Sequence, residues 1–234
     1  MKAISIVGFK KTGKTTLAVE LAKALSARGL KVGAAKFAHS VMDRPTADTS
    51  RLQEVCSTVV GLDPENTAMF WSGTRFLPDL LPLLRCDVLL VEGGKSLGWL
   101  PRVVIAREAK DFEALDNGLA LASWGPITRS GLAALDSLES LADLVLERGF
   151  ALAGLDCGSC GRDDCAGLAR DIVAGQAQIS DCRAQSENLK ITVAGTALTI
   201  NPFIQGLIRS VLVGILGELK GYTPGDKVRV DMKG

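Results

Sequence analysis

Hydrophobic positions over residues 1–149 alternate between short unbroken runs and runs spaced three or four apart. AISIV (3–7), KVGAAKF (31–37) and CDVLLVEG (86–93) are of the first kind. The last is continuous enough to predict a strand buried on both faces. VVIAR (103–107) and GLALAS (118–123) read as further strands. Leu17, Leu21, Ala24 and Leu25 recur at helical spacing within 15–27, and Gly29 is able to end that helix in the left-handed conformation. Leu138, Leu141, Leu144 and Val145 line one face of another helix over 137–148. Strands joined through helices predict a mostly parallel sheet covered on both faces.

The pattern changes after Gly149. FALAGLD is a short linker of small residues into a cysteine-rich segment at 156–185, and the remainder has a third character. There KITVAG–TALTI reads as two strands, NPFIQGLIRSVLVGILGELKG as a helix starting after Pro202, and KVRVDMK as an edge strand. The division expected is 1–149, 150–185 and 186–234: an α/β domain, a small cysteine module and an α+β tail. The apolar stretch 207–219 contains Arg209 and Glu218 and falls short of the roughly 18 residues of a membrane span. It reads as an amphipathic helix docked on the body or on a partner.

Composition narrows the classes further. Of 234 residues 47% are hydrophobic and only 5% aromatic, which suits a packed α/β protein better than an aromatic-rich sandwich. A formal net charge of +1 gives no electrostatic footprint for nucleic acid or an anionic membrane. Gly8 and two lysines interrupt the N-terminal apolar run before it could act as a signal peptide, so a cytoplasmic location is expected. Thiols stay reduced there, which turns clustered cysteines toward metal or redox chemistry.

GFKKTGKT (8–15) satisfies G-x-x-x-x-G-K-[ST] between a strand and a helix, the setting in which the pattern cradles nucleotide phosphates. Gly8 and Gly13 let the backbone curl so that its N–H groups, those of Lys11 and Thr12 included, face a common centre at the positive end of the helix. Lys14 supplies charge to the β- and γ-phosphates, Thr15 a hydroxyl for Mg²⁺, and Thr16 a reach to the α-phosphate. A carboxylate at the end of a neighbouring strand completes such a site. Glu92 stands there, with Gly93 and Gly94 permitting close approach of backbone to ligand. Asp87 begins the same strand and lies five residues, roughly 16 Å, away. Lys36, His39, Asp43, Asp48 and Arg51 follow the second strand, at the end of the sheet where ligands bind. Asp48 is placed to help hold Mg²⁺ or orient water. His39 is the sole histidine.

IVGFKKTGKTTL, KFAHS with a following D-T-S-R, DVLLVEGGK and PRVVIARE, in that order, resemble the molybdopterin-guanine dinucleotide biosynthesis protein B (MobB) family over about residues 1–148. The resemblance implies a P-loop NTPase-type fold that binds GTP, usually as a homodimer, and assists attachment of a nucleotide to the molybdenum cofactor. It assigns Gly8, Gly13, Lys14, Thr15 and Thr16 to the nucleotide loop, Lys36, His39 and Asp48 to the segment after the second strand, and Glu92 and Gly93 to the family's V-E-G. The chain departs from the pattern in its single histidine after Lys36. Phe9 stands where related ATPases carry an intersubunit lysine. No N-K-x-D motif is present, so the residues alone do not separate GTP from ATP.

Cys157, Cys160, Cys165 and Cys182 are spaced C-x2-C-x4-C-x16-C. Three cysteines on a tight loop and a fourth returning after a helix can surround one centre, tetrahedral zinc or an iron–sulfur cluster, with a redox dithiol as a further alternative. The intervening stretch supplies that helix, with Leu168, Ile172 and Val173 as its stripe and Gly175 as its stop. The run also resembles the small [4Fe-4S] domain patterned C-G-x-C-G-x-x-x-C-x-x-x-A-x-x-I-x-x-G…C, through Ala169, Ile172 and Gly175. That resemblance implies a [4Fe-4S] cluster on the four cysteines. Arg162, Asp163 and Asp164 read as a solvated tip, and Cys56 and Cys86 as buried core.

The expected function is therefore a GTP- and Mg²⁺-binding, weakly hydrolysing accessory protein for molybdenum or tungsten cofactor maturation. Lys14, Glu92 and Asp48 would be its catalytic candidates, and a cofactor-biosynthesis enzyme or client metalloenzyme its partner. The alternatives are a nucleotide-driven electron-transfer or metallocentre-activating protein, and a module in which nucleotide orders a dimer while the tail grips a client.

Overall fold

The computed structural model describes residues 1–38, 42–44, 46–185, 189, 191–193, 196–198, 200–223 and 227–230, with backbone only at 196 and 197. In chain order the elements begin with β1 (Lys2–Gly8), α1 (Lys14–Ala27), β2 (Val32–Lys36), α2 (Asp48–Gln53), β3 (Thr58–Leu62), β4 (Thr67–Trp71) and α3 (Leu77–Leu80). Next come β5 (Val88–Glu92), β6 (Arg102–Ile105), α4 (Asp111–Leu115), β7 (Ala120–Trp124), β8 (Ala133–Leu135) and α5 (Leu138–Arg148). The chain continues through α6 (Cys165–Val173), β9 (Ile191–Val193), β10 (Thr196–Leu198) and α7 (Pro202–Gly217).

Six strands form one sheet in the order β2-β5-β1-β6-β7-β8, and every pairing in it is parallel. Side chains alternate across a strand, and β5 shows what this does. Val88 and Leu90 face Leu17, Leu21 and Leu25 of α1 and Leu141 and Val145 of α5, while Leu89 and Val91 face the opposite side. Each such leucine or valine removed from water contributes about 1.5–3 kcal/mol. With both faces covered the strand has no polar side to show, which is why its sequence is an unbroken apolar run.

The second face is covered largely by the segment that follows Gly149. Phe150, Leu152, Cys165, Leu168, Ala169, Cys182 and Ala184 share a core with Leu89, Val91, Leu100 and Leu119 of the sheet side. The cysteine segment thus serves as part of a sheet layer as well as a module. Within it Asp164 caps α6 by accepting from Gly167 N at 2.7 Å, and Arg162 pairs with Asp171 at 2.9 Å. Those two residues are half-buried structural groups, leaving only Asp163 as an exposed tip.

Other expectations need correction. Cys56, between α2 and β3, is exposed, and Cys86, just before β5, is half-buried. Thr58–Leu62 and Thr67–Trp71 form a separate antiparallel hairpin that the apolar pattern did not reveal. In the tail, β9 and β10 pair as a hairpin, but 227–230 form no strand, and 231–233 lie outside the described residues. α7 is tied down at its start, where the Gln205 amide donates to the carbonyls of Ala184 and Ile200. Beyond that, one stripe of Phe203, Leu207, Val211 and Ile215 stays largely exposed, while Ile204, Ile208, Leu212 and Leu216 are half-buried. Among the described residues no helix is long and apolar enough to cross a membrane.

Candidate functional site

The loop between β1 and α1 sits at the centre of the sheet's C-terminal edge, with the ends of β5 and β6 on either side. Its first residue has no space for a side chain. A Cβ at Gly8 would fall 2.6 Å from Thr12 Oγ1 and 2.8 Å from the Ile105 carbonyl oxygen. Gly13, with φ 84°, turns the chain into α1. Inside the loop Thr12 and Lys14 both donate to the Phe9 carbonyl, at 3.0 and 2.6 Å.

Register explains how the charged partners meet. Lys36 ends β2 and Glu92 ends β5, and the two are Cα partners in adjacent strands. The Lys36 ammonium donates to both carboxylate oxygens of Glu92, at 3.0 and 2.8 Å. Thr15 at the start of α1 donates to the same carboxylate at 2.8 Å, and Lys36 also reaches the Thr15 hydroxyl at 3.3 Å. Burial pushes the Glu92 carboxyl up, but the hydrogen bonds from Lys36 and Thr15 and the charges of Lys36 and Lys14 outweigh it and hold it below its ordinary value. Burial holds the Lys14 ammonium below its own ordinary value; Glu92 opposes this, and the nearby charges of Lys95, Lys36 and Arg107 add to it. The charges of Lys14, Lys36, Lys95 and Arg107 therefore crowd one loop around the Glu92 carboxylate, an arrangement that an anionic ligand relieves.

Of the residues expected here, the structure brings Gly8, Lys11, Thr12, Gly13, Lys14, Thr15, Lys36, Glu92 and Gly93 into one neighbourhood. Thr16 is exposed on the first turn of α1. Asp48 opens α2, where it is exposed and, among the described residues, meets Arg51 at 3.9 Å. Asp43 is occupied locally, accepting from Thr49, Ser50 and Gln53. His39 lies outside the described residues. Two cations escaped the sequence reading. Arg107, just past β6, donates to the Lys10 carbonyl, and Lys95 stands 3.9 Å from the centroid of the Phe9 ring. Both follow strands that flank β1, so a strict strand-end rule would have found them.

The cysteines form the second centre. Cys157, Cys160, Cys165 and Cys182 all line one small cavity of about 10 Å³, walled on the apolar side by Leu155 and Leu168. None of them is in a disulfide. Among the described residues no three His, Cys, Asp or Glu side chains converge as a single metal ion requires. Asp156, with φ 46°, bends the chain into this loop. Its carboxylate accepts from Cys165 N at 2.8 Å, and its own N–H donates to Cys165 Sγ at 3.4 Å. Burial pushes the Cys165 thiol up. A short path links the two centres. No side chain fits at Gly98, six residues beyond Glu92, because its Cβ would meet that of Ala166 on α6 at 2.7 Å.

A family model described as molybdopterin guanine dinucleotide synthesis protein B, MobB, matches residues 3–124. The chain belongs to the MobB family. A second model, described as "Putative Fe-S cluster", matches 152–184, the interval that holds all four clustered cysteines. So this MobB protein carries an appended Fe-S family domain. A protein of Methanocaldococcus jannaschii named "Putative molybdopterin-guanine dinucleotide biosynthesis adapter protein" is 23% identical over 99% of this chain and 97% of its own. A Bacillus subtilis protein named a probable adapter of the same biosynthesis is 30% identical over 48% of this chain and 69% of its own. The crystal structure of Bacillus subtilis MobB superposes with a TM-score of 0.53 over 64% of this chain and 99% of that one, at 24% identity. It shares the fold, a P-loop sheet with helices on both faces.

Proposed function

We propose that this MobB protein is a GTP- and Mg²⁺-binding adapter of molybdopterin guanine dinucleotide biosynthesis, weakly hydrolysing its nucleotide and carrying a [4Fe-4S] cluster. The observation that carries the nucleotide half is the Thr15–Lys36–Glu92 arrangement beside the loop. Hydroxyl and carboxylate already bracket one cation, the Lys36 ammonium, so the same donors fit Mg²⁺. Thr15 and Glu92 would hold the metal, which screens phosphate charge when bound. Lys14 would leave the Phe9 carbonyl for the β- and γ-phosphates, and the amides of Lys11, Thr12 and Gly13 would stabilise the charge that develops there. Glu92 is the acidic group that hydrogen bonds tie to the loop, and Asp48, exposed at the start of α2, would be a secondary contributor. The guanine dinucleotide in the family's description supports GTP over ATP, and the relatives' naming as adapters supports a cofactor-biosynthesis enzyme as partner. As in the resemblance, a homodimer is the expected assembly.

The all-thiol donor set around one apolar-walled cavity, within the interval matched by the Fe-S family model, supports an iron–sulfur cluster over a single ion. Cys157, Cys160, Cys165 and Cys182 would hold it, and it would supply electron storage or a redox-dependent shape. Titration with a fluorescent GTP analogue and Mg²⁺ tests the first half. Binding is expected in the wild type and lost in Lys14→Ala, and a wild type blind to GTP sinks the reading. Anaerobic purification with iron, sulfide and zinc analysis tests the second, with zinc at one ion per chain as the opposing result.

The contact between Gly98 and Ala166 favours a second reading, nucleotide-dependent electron transfer to a metalloenzyme, since it joins the segment after Glu92 to the helix of Cys165. That reading expects GTP to shift the reduction potential of the cluster, and an unshifted potential removes it.

A further inference from the structure

We infer that Lys95 is a phosphate-binding residue of the nucleotide site, its ammonium poised over the Phe9 ring to engage the terminal phosphate of a bound nucleoside triphosphate. This rests on the nucleotide reading above and adds to it a residue that the loop motif does not contain.

The first support is where the side chain stands. Lys95 Nζ lies 3.9 Å from the centroid of Phe9, the second residue of the loop, whose carbonyl already gathers Lys14 and Thr12. A cation over an exposed aromatic face is held weakly, firmly enough to bias its position and loosely enough to exchange for a phosphate oxygen. The second support is what the other cations are doing. Lys36 is committed to Glu92, Arg107 to the Lys10 carbonyl and Lys14 to the Phe9 carbonyl. Among the described residues Lys95 makes no hydrogen bond or ion pair, so all three of its donors are available. Its charge is also felt by Lys14, which places the two ammonium groups around the same space.

The third support is a backbone that holds Lys95 in position. Leu97 N donates to the Gly94 carbonyl at 2.9 Å, closing a tight turn around Lys95 and Ser96. The Leu97 carbonyl accepts from Arg102 at 2.8 Å. Arg102 is 1% exposed and also donates to the Leu115 carbonyl at 2.8 Å. The turn is thus pinned to the sheet by a buried guanidinium. Its chain position chooses the phosphate. Lys95 follows the strand end that presents Glu92, the carboxylate that would hold magnesium and so screen the terminal phosphates. That position assigns Lys95 to the terminal phosphate.

The test compares Kd values of the full chain for GDP and for a non-hydrolysable GTP analogue, both with Mg²⁺. Lys95→Ala is expected to weaken the triphosphate about tenfold or more, the scale of one lost charged hydrogen bond, and GDP by less than about twofold. Lys95→Arg is expected to restore most of the difference. Lys95 is exposed, so the variant keeps its fold, and its GDP affinity reports that directly. If the wild type prefers the triphosphate and Lys95→Ala leaves that preference unchanged, the inference is overturned while the nucleotide reading stands. If the wild type binds neither nucleotide, the reading beneath it has failed as well.

Discussion

The phosphate loop and the cysteine cavity sit on one sheet, but they are held in different ways. The loop hangs between β1, whose Ala3, Ile4, Ile6 and Val7 are fully buried, and α1, whose Leu17, Leu21 and Leu25 pack on the sheet. Its polar groups pair with one another, Lys14 with Phe9 and Glu92 with Thr15 and Lys36. The cavity has no strand in its walls. It is formed by coil from 153 to 160, the first turn of α6 and the residues around Cys182, joined by a few side-chain bonds from Asp156, Arg162 and Asp164. Regular structure carries its own hydrogen bonds, whereas coil depends on what it surrounds. The loop should therefore keep its shape without a ligand, and the cavity should depend strongly on one.

The sharpest way to break this comparison is to remove a buried cysteine of the cavity. Cys182 is 7% exposed and shares its core with Leu89 and Leu168. Cys182→Ser should abolish iron retention after anaerobic reconstitution, measured by colorimetric iron and visible absorbance, and lower the melting temperature. GTP affinity should change by less than about threefold. A variant that keeps its iron removes Cys182 from the proposed ligand set, and one that loses GTP binding in equal measure shows that the two centres are not held independently.

The converse change strikes the loop. Gly8→Ala places a Cβ against the Ile105 carbonyl, a backbone atom that cannot turn aside. Overpacking of this kind costs about 1–3 kcal/mol, measurable by urea denaturation. It should remove GTP binding while the iron content stays at the wild-type level.

A smaller effect probes the side chains that shape the cavity. Asp156 combines φ 46° with a carboxylate that accepts from Cys165 N. Asp156→Ala loses both the bond and a side chain suited to that conformation, and should cost about 1–2 kcal/mol. Asp156→Asn keeps the conformation and the acceptor, and should cost less than half as much. Equal losses in the two variants would count against the carboxylate as the organising group.

How much of this was legible follows from the same contrast. The strands of the central sheet announce themselves because burial on both faces leaves no polar position to interrupt VLLV. The loop announces itself because GFKKTGKT is contiguous. Glu92 was found because a strand end is a position that can be counted. Lys95 and Arg107 were missed because their relevance depends on which strands flank β1, and strand order is a property of the tertiary fold. Their signal was present only as a cation just beyond each flanking strand. The hairpin of β3 and β4 stayed hidden because Thr58–Leu62 and Thr67–Trp71 are largely exposed: β3 alternates in burial, but neither TVVGL nor TAMFW alternates in polarity. In the module the cysteine spacing identified the four residues lining the cavity, but Arg162 and Asp164 were misread. Charged residues between glycines look solvated until a helix N-terminus and a partner carboxylate are placed beside them.

The smallest effect separates what Glu92 does for the fold from what it does for a ligand. Its carboxyl is held below its ordinary value in the folded chain, burial notwithstanding, by Lys36, Thr15 and Lys14. A depressed carboxyl stabilises the fold above its unfolded value, near 4.5, and that contribution disappears as pH falls through the folded value. The partners are unequal in exposure, 15% for the Glu92 side chain and 53% for Lys36, so solvent screens the pair and its worth is under about 1 kcal/mol. Urea denaturation from pH 6 down to pH 3 should therefore show wild type slightly more stable than Glu92→Gln at the upper end, with the gap closing below about pH 4.5. Curves that stay parallel through that window would rule out the ion pair as the source. At pH 7 the same variant should lose about tenfold in Mg²⁺-dependent GTP affinity, since a neutral amide oxygen is a weaker ligand for Mg²⁺ than a charged carboxylate. A loss in binding that exceeds the loss in stability marks Glu92 as a group kept for what it holds, in contrast to the cysteines, where holding the ligand and holding the fold are expected to fail together.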